Sequence, residues 1–361
     1  MESIDQLITE GKIHEAADLL IKEKKYDQAI DLLESTQPKD SKSILKCGNI
    51  WEHYKKDLEK AIECYKQASD LGDVDGFFAL GFVLLQDDLE KAIEYLEAGA
   101  AKGDSKCLLL LATVYSEESE NGKFQPEKAV AYCKQSAELG EENALVLLGT
   151  FYLEGSFVAR SMEEARKCFL PAAEAGNPEA QYQMATNICT ATEECIFWLE
   201  KAAAQRHPTA LYELGMKRLQ EGNLDEAVRM LYYSSEEGDC LAQFEMFKIF
   251  SEGTLVEPNE HIAYKSCIQA ATNGHKQAIF HLGKRLVAMG QAEAGEIWLR
   301  KGAEIGKEPK CMILLSEILM KRGETEEATK FLNAAAEQER IQPESDSQMP
   351  TKKLKPNTDS S

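Results

Sequence analysis

Small and large side chains recur along this chain in fixed columns. A small residue (Ala61, Ala92, Ala129, Ala165, Cys195, Ala227, Ala263, Gly295, Ala328) returns every 30 to 37 residues. That period is close to the roughly 33 residues of a helix–turn–helix repeat. Three or four residues later stands a bulky side chain: Tyr65, Tyr95, Tyr132, Phe169, Trp198, Leu231, Trp298 and Phe331. The seventh unit departs, with Ser266 and Cys267 at the pair. Seven and eight residues after the anchor every position is Ala, Ser or Gly, as in Ala172–Ala173 and Ser234–Ser235. Small residues at helical spacing let two helix backbones approach closely. Eleven residues on, seven of nine positions are Gly, among them Gly72, Gly176, Gly274 and Gly306, with Arg206 and Glu339 as the exceptions. Glycine there suits the left-handed residue that ends a helix.

A second set of columns predicts a helix ahead of each anchor. One column runs Cys47, Leu80, Leu111, Leu148, Met184, Leu214, Met246, Leu282, Leu315. The next residue is small in every unit (Gly48, Gly81 and Gly149 are examples) except at Phe247. Four residues before the Leu column every residue is small. Each unit therefore reads as two amphipathic helices, nine pairs in all, and the chain as all-α.

These columns resemble the Sel-one-like repeat, a relative of the tetratricopeptide repeat. The best units are LVLLGTFYLEGSFVARSMEEARKCFLPAAEAGNPEAQ (145–181) and FEMFKIFSEGTLVEPNEHIAYKSCIQAATNGHKQA (244–278), which carry the longer Gly-containing loop of that family. The resemblance implies a right-handed α/α superhelical solenoid whose concave face is lined by first helices. It also implies a non-enzymatic scaffold or adaptor that uses no cofactor. Residues 1–40 read as a helical cap or degenerate repeats, 41–339 as about nine repeats, and 340–361 as a disordered polar tail.

Charge narrows the partners. With 41 Lys+Arg against 62 Asp+Glu the net charge is −21, which disfavours nucleic acid and anionic lipid, since both are bound through basic patches. No apolar run approaches the ~18–20 residues of a membrane span, and the first twenty residues lack the apolar core of a secretory signal. The expected partners are other proteins, and the expected compartment is cytoplasmic, or nuclear if Lys352-Lys353-Leu354-Lys355 acts as an import signal.

The inner surface is the candidate site. Two residues after the Leu column the first helices carry Asn49, Thr150, Thr186, Met216, Lys248 and Lys284, with Lys106 and Lys310 five residues before it. Lys248, His281, Lys284 and Lys310 gather toward the C-terminal end and are expected to bind an acidic peptide or carboxylate, partly offset by Glu245 and Glu317. A chaperone-tail clamp of tetratricopeptide type is disfavoured, because Leu45, Ala79 and Leu110 stand where its Lys, Asn and Arg would be needed. The aromatics Phe78, Tyr182, Tyr212, Phe244 and Phe280, two residues before the Leu column, read as packing between units.

An alternative reading, a thiol or metal-binding repeat protein, rests on ten cysteines. Eight fall on packing columns, where cysteine acts as a small hydrophobe. Only Cys189 and Cys240 stand outside them, and there is no CxxC pair. The six histidines show no ligand spacing and read as surface residues. Catalytic motifs are absent apart from one SxxK at Ser43–Lys46, whose serine belongs to a small column.

Overall fold

The computed structural model describes residues 4–36, 40–118, 123–253 and 256–341. The tail from 342, with its candidate import signal, lies outside the described residues. The chain divides into two compact units, Met1–Trp198 and Leu199–Ser361. Among the described residues there are helices and no strands, so the all-α solenoid class expected from the columns is observed.

The first unit opens with α1 (Ile4–Thr9), α2 (Ile13–Lys22) and α3 (Tyr26–Glu34). Helix pairs follow: α4 (Ser41–Ile50) with α5 (Leu58–Asp70), α6 (Val74–Leu84) with α7 (Leu89–Ala101), α8 (Ser105–Ser116) with α9 (Pro126–Glu138), and α10 (Glu142–Glu154) with α11 (Met162–Ala175). The fifth repeat begins with α12 (Pro178–Gln183), and the division between the units falls inside its second helix, α13 (Thr192–Ala204). The second unit continues with α14 (Pro208–Gln220), α15 (Leu224–Glu236), α16 (Cys240–Glu252), α17 (Glu260–Thr272), α18 (Lys276–Ala288), α19 (Ala292–Glu304), α20 (Pro309–Arg322) and α21 (Thr325–Ile341). Two first helices run on into a π-turn, α4 at Trp51–Lys55 and α12 at Met184–Ile188.

Inside a repeat, the Gly after the Leu column meets the bulky residue of the second helix. A methyl on Gly48 would stand 2.5 Å from the Tyr65 ring, and one on Gly149 would stand 2.7 Å from Phe169. The bare Cα is the floor on which the ring lies. Where the first helix carries Ala112, its partner shrinks to Cys133 in the same core. The seventh repeat inverts the pair: Phe247 comes from the first helix and Cys267 from the second, packed in one cluster.

Between repeats, small meets small. A methyl on Gly76 would lie 2.7 Å from the Ser69 backbone nitrogen, and one on Gly99 would lie 2.5 Å from the Cys107 sulfur. Serines in this column also tie their helix to the first helix of the same repeat: Ser136 Oγ donates to the Ser105 carbonyl (2.7 Å) and Ser234 Oγ to that of Pro208 (2.8 Å).

The closing glycines adopt the left-handed conformation, for example Gly72 (φ 84°) and Gly274 (φ 88°), and Arg206 takes the same place at φ 63°. One expectation fails. In the eighth repeat the left-handed residue is Lys307 (φ 48°), not Gly306. An extra residue separates Gly306 from Pro309, which opens α20 and holds Glu308 extended (φ −83°, ψ 113°).

Candidate functional site

First helices of successive repeats meet directly, α6 with α8 in the first unit and α18 with α20 in the second. They place the candidate residues in two different settings.

In the first unit the polar groups are already engaged. Asn49 accepts a hydrogen bond from the Tyr65 hydroxyl (2.8 Å). Lys106 faces Asp75 at 3.5 Å. The hydroxyls of Thr150 and Thr186 donate back to the carbonyls of Val146 (3.0 Å) and Tyr182 (2.9 Å), a bond typical of Thr inside a helix.

In the second unit the structure brings together His281, Lys284 and Lys310, with Lys248 beside them. Burial lowers the His281 pKa first, and the charges of Lys284 and Lys310 lower it further. Three rings surround the imidazole: Phe247 at 5.2 Å, Phe280 at 5.6 Å and Phe244 at 5.9 Å between centroids. Lys248 lies 5.6 Å above Phe244 and Lys284 lies 5.9 Å above Phe280, within weak cation–π range. Lys248 is largely neutralised by Glu245 at 2.6 Å. Lys284 and Lys310 are exposed and form no ion pair among the described residues. Met216 of α14 is half-buried against the core cluster of Leu231 and Met246 and offers no polar group.

The aromatics read as packing prove more exposed than expected. Phe244 is buried at 5%, while Phe78, Tyr182, Tyr212 and Phe280 are half-buried. They stand at the edge of the first-helix face, where a ring is partly covered by its neighbours and partly wet.

The surface reading of the histidines also needs correction. His207 and His275 are half-buried and cap first helices: the Nδ1 of each accepts the backbone N–H of Ala210 or Ala278 at 3.2 Å. They belong to a cap column one residue after the closing Gly. Asp104, Asn177 and Asp239 fill it elsewhere, accepting at 2.9, 3.0 and 2.8 Å. The signal was present in the sequence as Gly-Asp and Gly-Asn, since Asp and Asn at that place are capping residues, and the histidines occupy the same column. His275 also stacks on Phe244 at 4.2 Å. Burial lowers its pKa first, then Lys248, with Asp239 opposing.

The cysteines are all free. Burial pushes Cys133 up to about 12, Cys267 to about 11 and Cys311 to about 12. Cys189, outside the packing columns, is raised to about 12 by burial and by its hydrogen bond to Glu194. A thiol with a raised pKa is a poor nucleophile at neutral pH. Among the described residues no three or more His, Cys, Asp or Glu side chains are placed to hold a metal ion, and no helix is long and apolar enough to cross a membrane.

Comparison with known proteins agrees with this geometry. The Sel1 repeat family model matches residues 52–73, 78–104, 105–141, 143–177, 191–207 and 240–275. The chain carries Sel1 repeats. The matches fall on the helix pairs above. The structure of c5321, a protective antigen present in uropathogenic Escherichia coli strains and displaying an SLR fold, is similar with a TM-score of 0.53 and 19% identity, over 94% of this chain and 80% of that one. A Sel1 repeat protein from Oxalobacter formigenes gives a TM-score of 0.51 and 22% identity, over 77% of this chain and 86% of that one. At these identities the likeness concerns the fold. No curated protein matches the sequence significantly.

Proposed function

We propose that this Sel1-repeat chain is a cytoplasmic, non-enzymatic scaffold that holds an acidic peptide segment of a partner protein on the first-helix face of its second unit. Sel1-repeat proteins generally serve as protein-interaction scaffolds. The observation that carries the finer reading is the pair of exposed, unpaired lysines, Lys284 and Lys310, beside a floor of Phe244, Phe247, Phe280 and His281. In a chain of net charge −21 such a local excess of cations focuses a field that attracts carboxylates and raises their association rate. The half-wet rings supply apolar contact for the stems of the same peptide.

The test is a titration of a fluorescein-labelled Glu-rich peptide, read by anisotropy, with intact protein and with Lys284→Glu/Lys310→Glu. Each lysine is expected to contribute about 0.5–1 kcal/mol. The double charge reversal should therefore weaken binding about five- to thirtyfold, with a steep salt dependence in the intact protein. Equal affinity of the two proteins would move the site elsewhere. Lys248→Glu is expected to have the smaller effect, since Glu245 already holds that charge. The thiol or metal reading finds no support in the surroundings of the cysteines.

A further inference from the structure

The seventh repeat leaves open a place that other repeats close. Three residues after the anchor, the second helix carries Tyr95, Tyr132, Trp198, Trp298 and Phe331 in five repeats and Met230 in a sixth. Tyr132 shows what this side chain does. Its ring stacks on Tyr115 of the preceding first helix (5.8 Å), and its hydroxyl reaches Glu97 of the preceding second helix (3.3 Å). It fills the gap between consecutive second helices. In the seventh repeat the same column position is Ser266, with Phe250 in the place of Tyr115 and Tyr232 in the place of Glu97. Those three residues, with Met246 and Ile262, line a cleft of about 360 Å³ between α15 and α17. That volume lies in the ~300–1,000 Å³ range of ligand pockets.

The small residues at this position in other repeats fit the same rule. Cys64 lines a second cleft, of about 260 Å³, that Trp51 partly fills. Beside Cys168, Phe157 and Val158 of the longer loop pack into the core. Of these two clefts, the one at Ser266 is lined mainly by apolar groups while its floor keeps a hydroxyl: Ser266 is 6% exposed and makes no hydrogen bond with the described residues. On the rim Arg229 is exposed and without an ion-pair partner among the described residues. Lys265 reaches Glu236 at 3.9 Å, and Asp225 lies one turn before Arg229.

We propose that this cleft is a docking socket for an aromatic side chain of a partner protein, carried next to a carboxylate that pairs with Arg229. The fold's own filler at this place is an aromatic ring, so the shape left by Ser266 is that of a ring. The free guanidinium fixes the sign of the neighbouring group. A tryptophan N–H or tyrosine O–H would meet the Ser266 hydroxyl, which otherwise stays unpaired. The socket is built from second helices with α16 behind them. It is therefore distinct from the first-helix patch of Lys284 and Lys310 and does not depend on it.

The probes are N-acetyl-tryptophan and its amide, titrated into the full chain with labelled Met and Ile methyl groups and followed by NMR. N-acetyl-tryptophan is expected to shift the Met246 and Ile262 methyls saturably, with a dissociation constant of about 1 mM for a ligand this small. The amide should bind about three- to tenfold more weakly, and Arg229→Ala should abolish that difference. Ser266→Trp places in the seventh repeat the residue the eighth carries as Trp298. It should remove the shifts while circular dichroism and melting temperature are kept, and Ser266→Phe should do the same with a smaller ring. The proposal is overturned if these methyls do not shift up to about 10 mM probe, if the shifts persist in Ser266→Trp, or if both filled variants unfold. Equal binding of acid and amide would overturn its carboxylate half.

Discussion

The fourth and seventh repeats share the long loop but build their cores in opposite ways. Both end the first helix on a left-handed glycine, Gly155 (φ 74°) and Gly253 (φ 63°). Both return the loop to the helix with one backbone bond, from Ser161 N to Tyr152 O (2.9 Å) and from Asn259 N to Phe250 O (3.0 Å). In the fourth repeat the ring is Phe169 on the second helix, lying on Gly149. In the seventh it is Phe247 on the first helix, facing Cys267. The ring can therefore come from either helix of a repeat. Beside Cys267, Ser266 lines the cleft of about 360 Å³.

The sharpest break in this comparison is removal of the ring. Phe169 is fully buried, so Phe169→Ala should cost about 3–5 kcal/mol, whereas Cys267→Ala should cost about 1 kcal/mol, because a thiol fills far less space than a ring. Chemical denaturation of the full chain, followed by fluorescence, measures both. Similar losses would mean that the two cores are not inverted copies.

A methyl group makes a finer probe. In Gly149→Ala the added carbon would stand 2.7 Å from the Phe169 ring, and the strain should cost about 1–3 kcal/mol. Combining it with Phe169→Cys reproduces the Ala112–Cys133 pair of the third repeat. The double variant should be more stable than the sum of the two losses predicts, a coupling that a double-mutant cycle reads directly.

The smallest expected effect separates the caps that follow the two repeats. Asn177 caps the helix after the fourth, and His275 caps the helix after the seventh. The folded-state pKa of His275 is lowered, so the unfolded chain binds the proton more readily. The contribution of His275 is therefore complete above its unfolded value of ~6.5 and is lost as pH falls toward the lower folded value. Protonation turns the Nδ1 acceptor into a donor and places a cation at a helix N-terminus, where it is disfavoured. His275→Asn should retain about 1 kcal/mol at mildly acidic pH that the parent loses. An identical pH dependence of melting in parent and variant would reject the capping role.

Much of this was legible in the columns. The helix pairs, their close approach through small residues and the family all follow from spacing, because a 3.6-residue period brings a given column to the same face in every repeat. The cap column was also legible, one residue after each glycine, but histidine is not the residue expected there. Two other features were not legible. Glu245 and Glu317 both stood near the lysines in sequence, but which of Lys248, Lys284 and Lys310 a carboxylate would hold did not: it is Lys248, by Glu245 at 2.6 Å. Ser266 and Cys267 stood out as an exception without showing that a cleft opens beside Ser266.

By itself, then, the sequence determined the repeat, its period, the faces of its helices and the sign of its charge, since these depend on neighbours along one helix. Only the tertiary structure decided which lysines keep a free charge, which imidazoles cap helices and where a ring is missing. The first two turn on which local contact a side chain takes up, since Glu245–Lys248 and His275–Ala278 are each three residues apart; the last depends on side chains of different helices meeting across a packed interface, where volume must be filled.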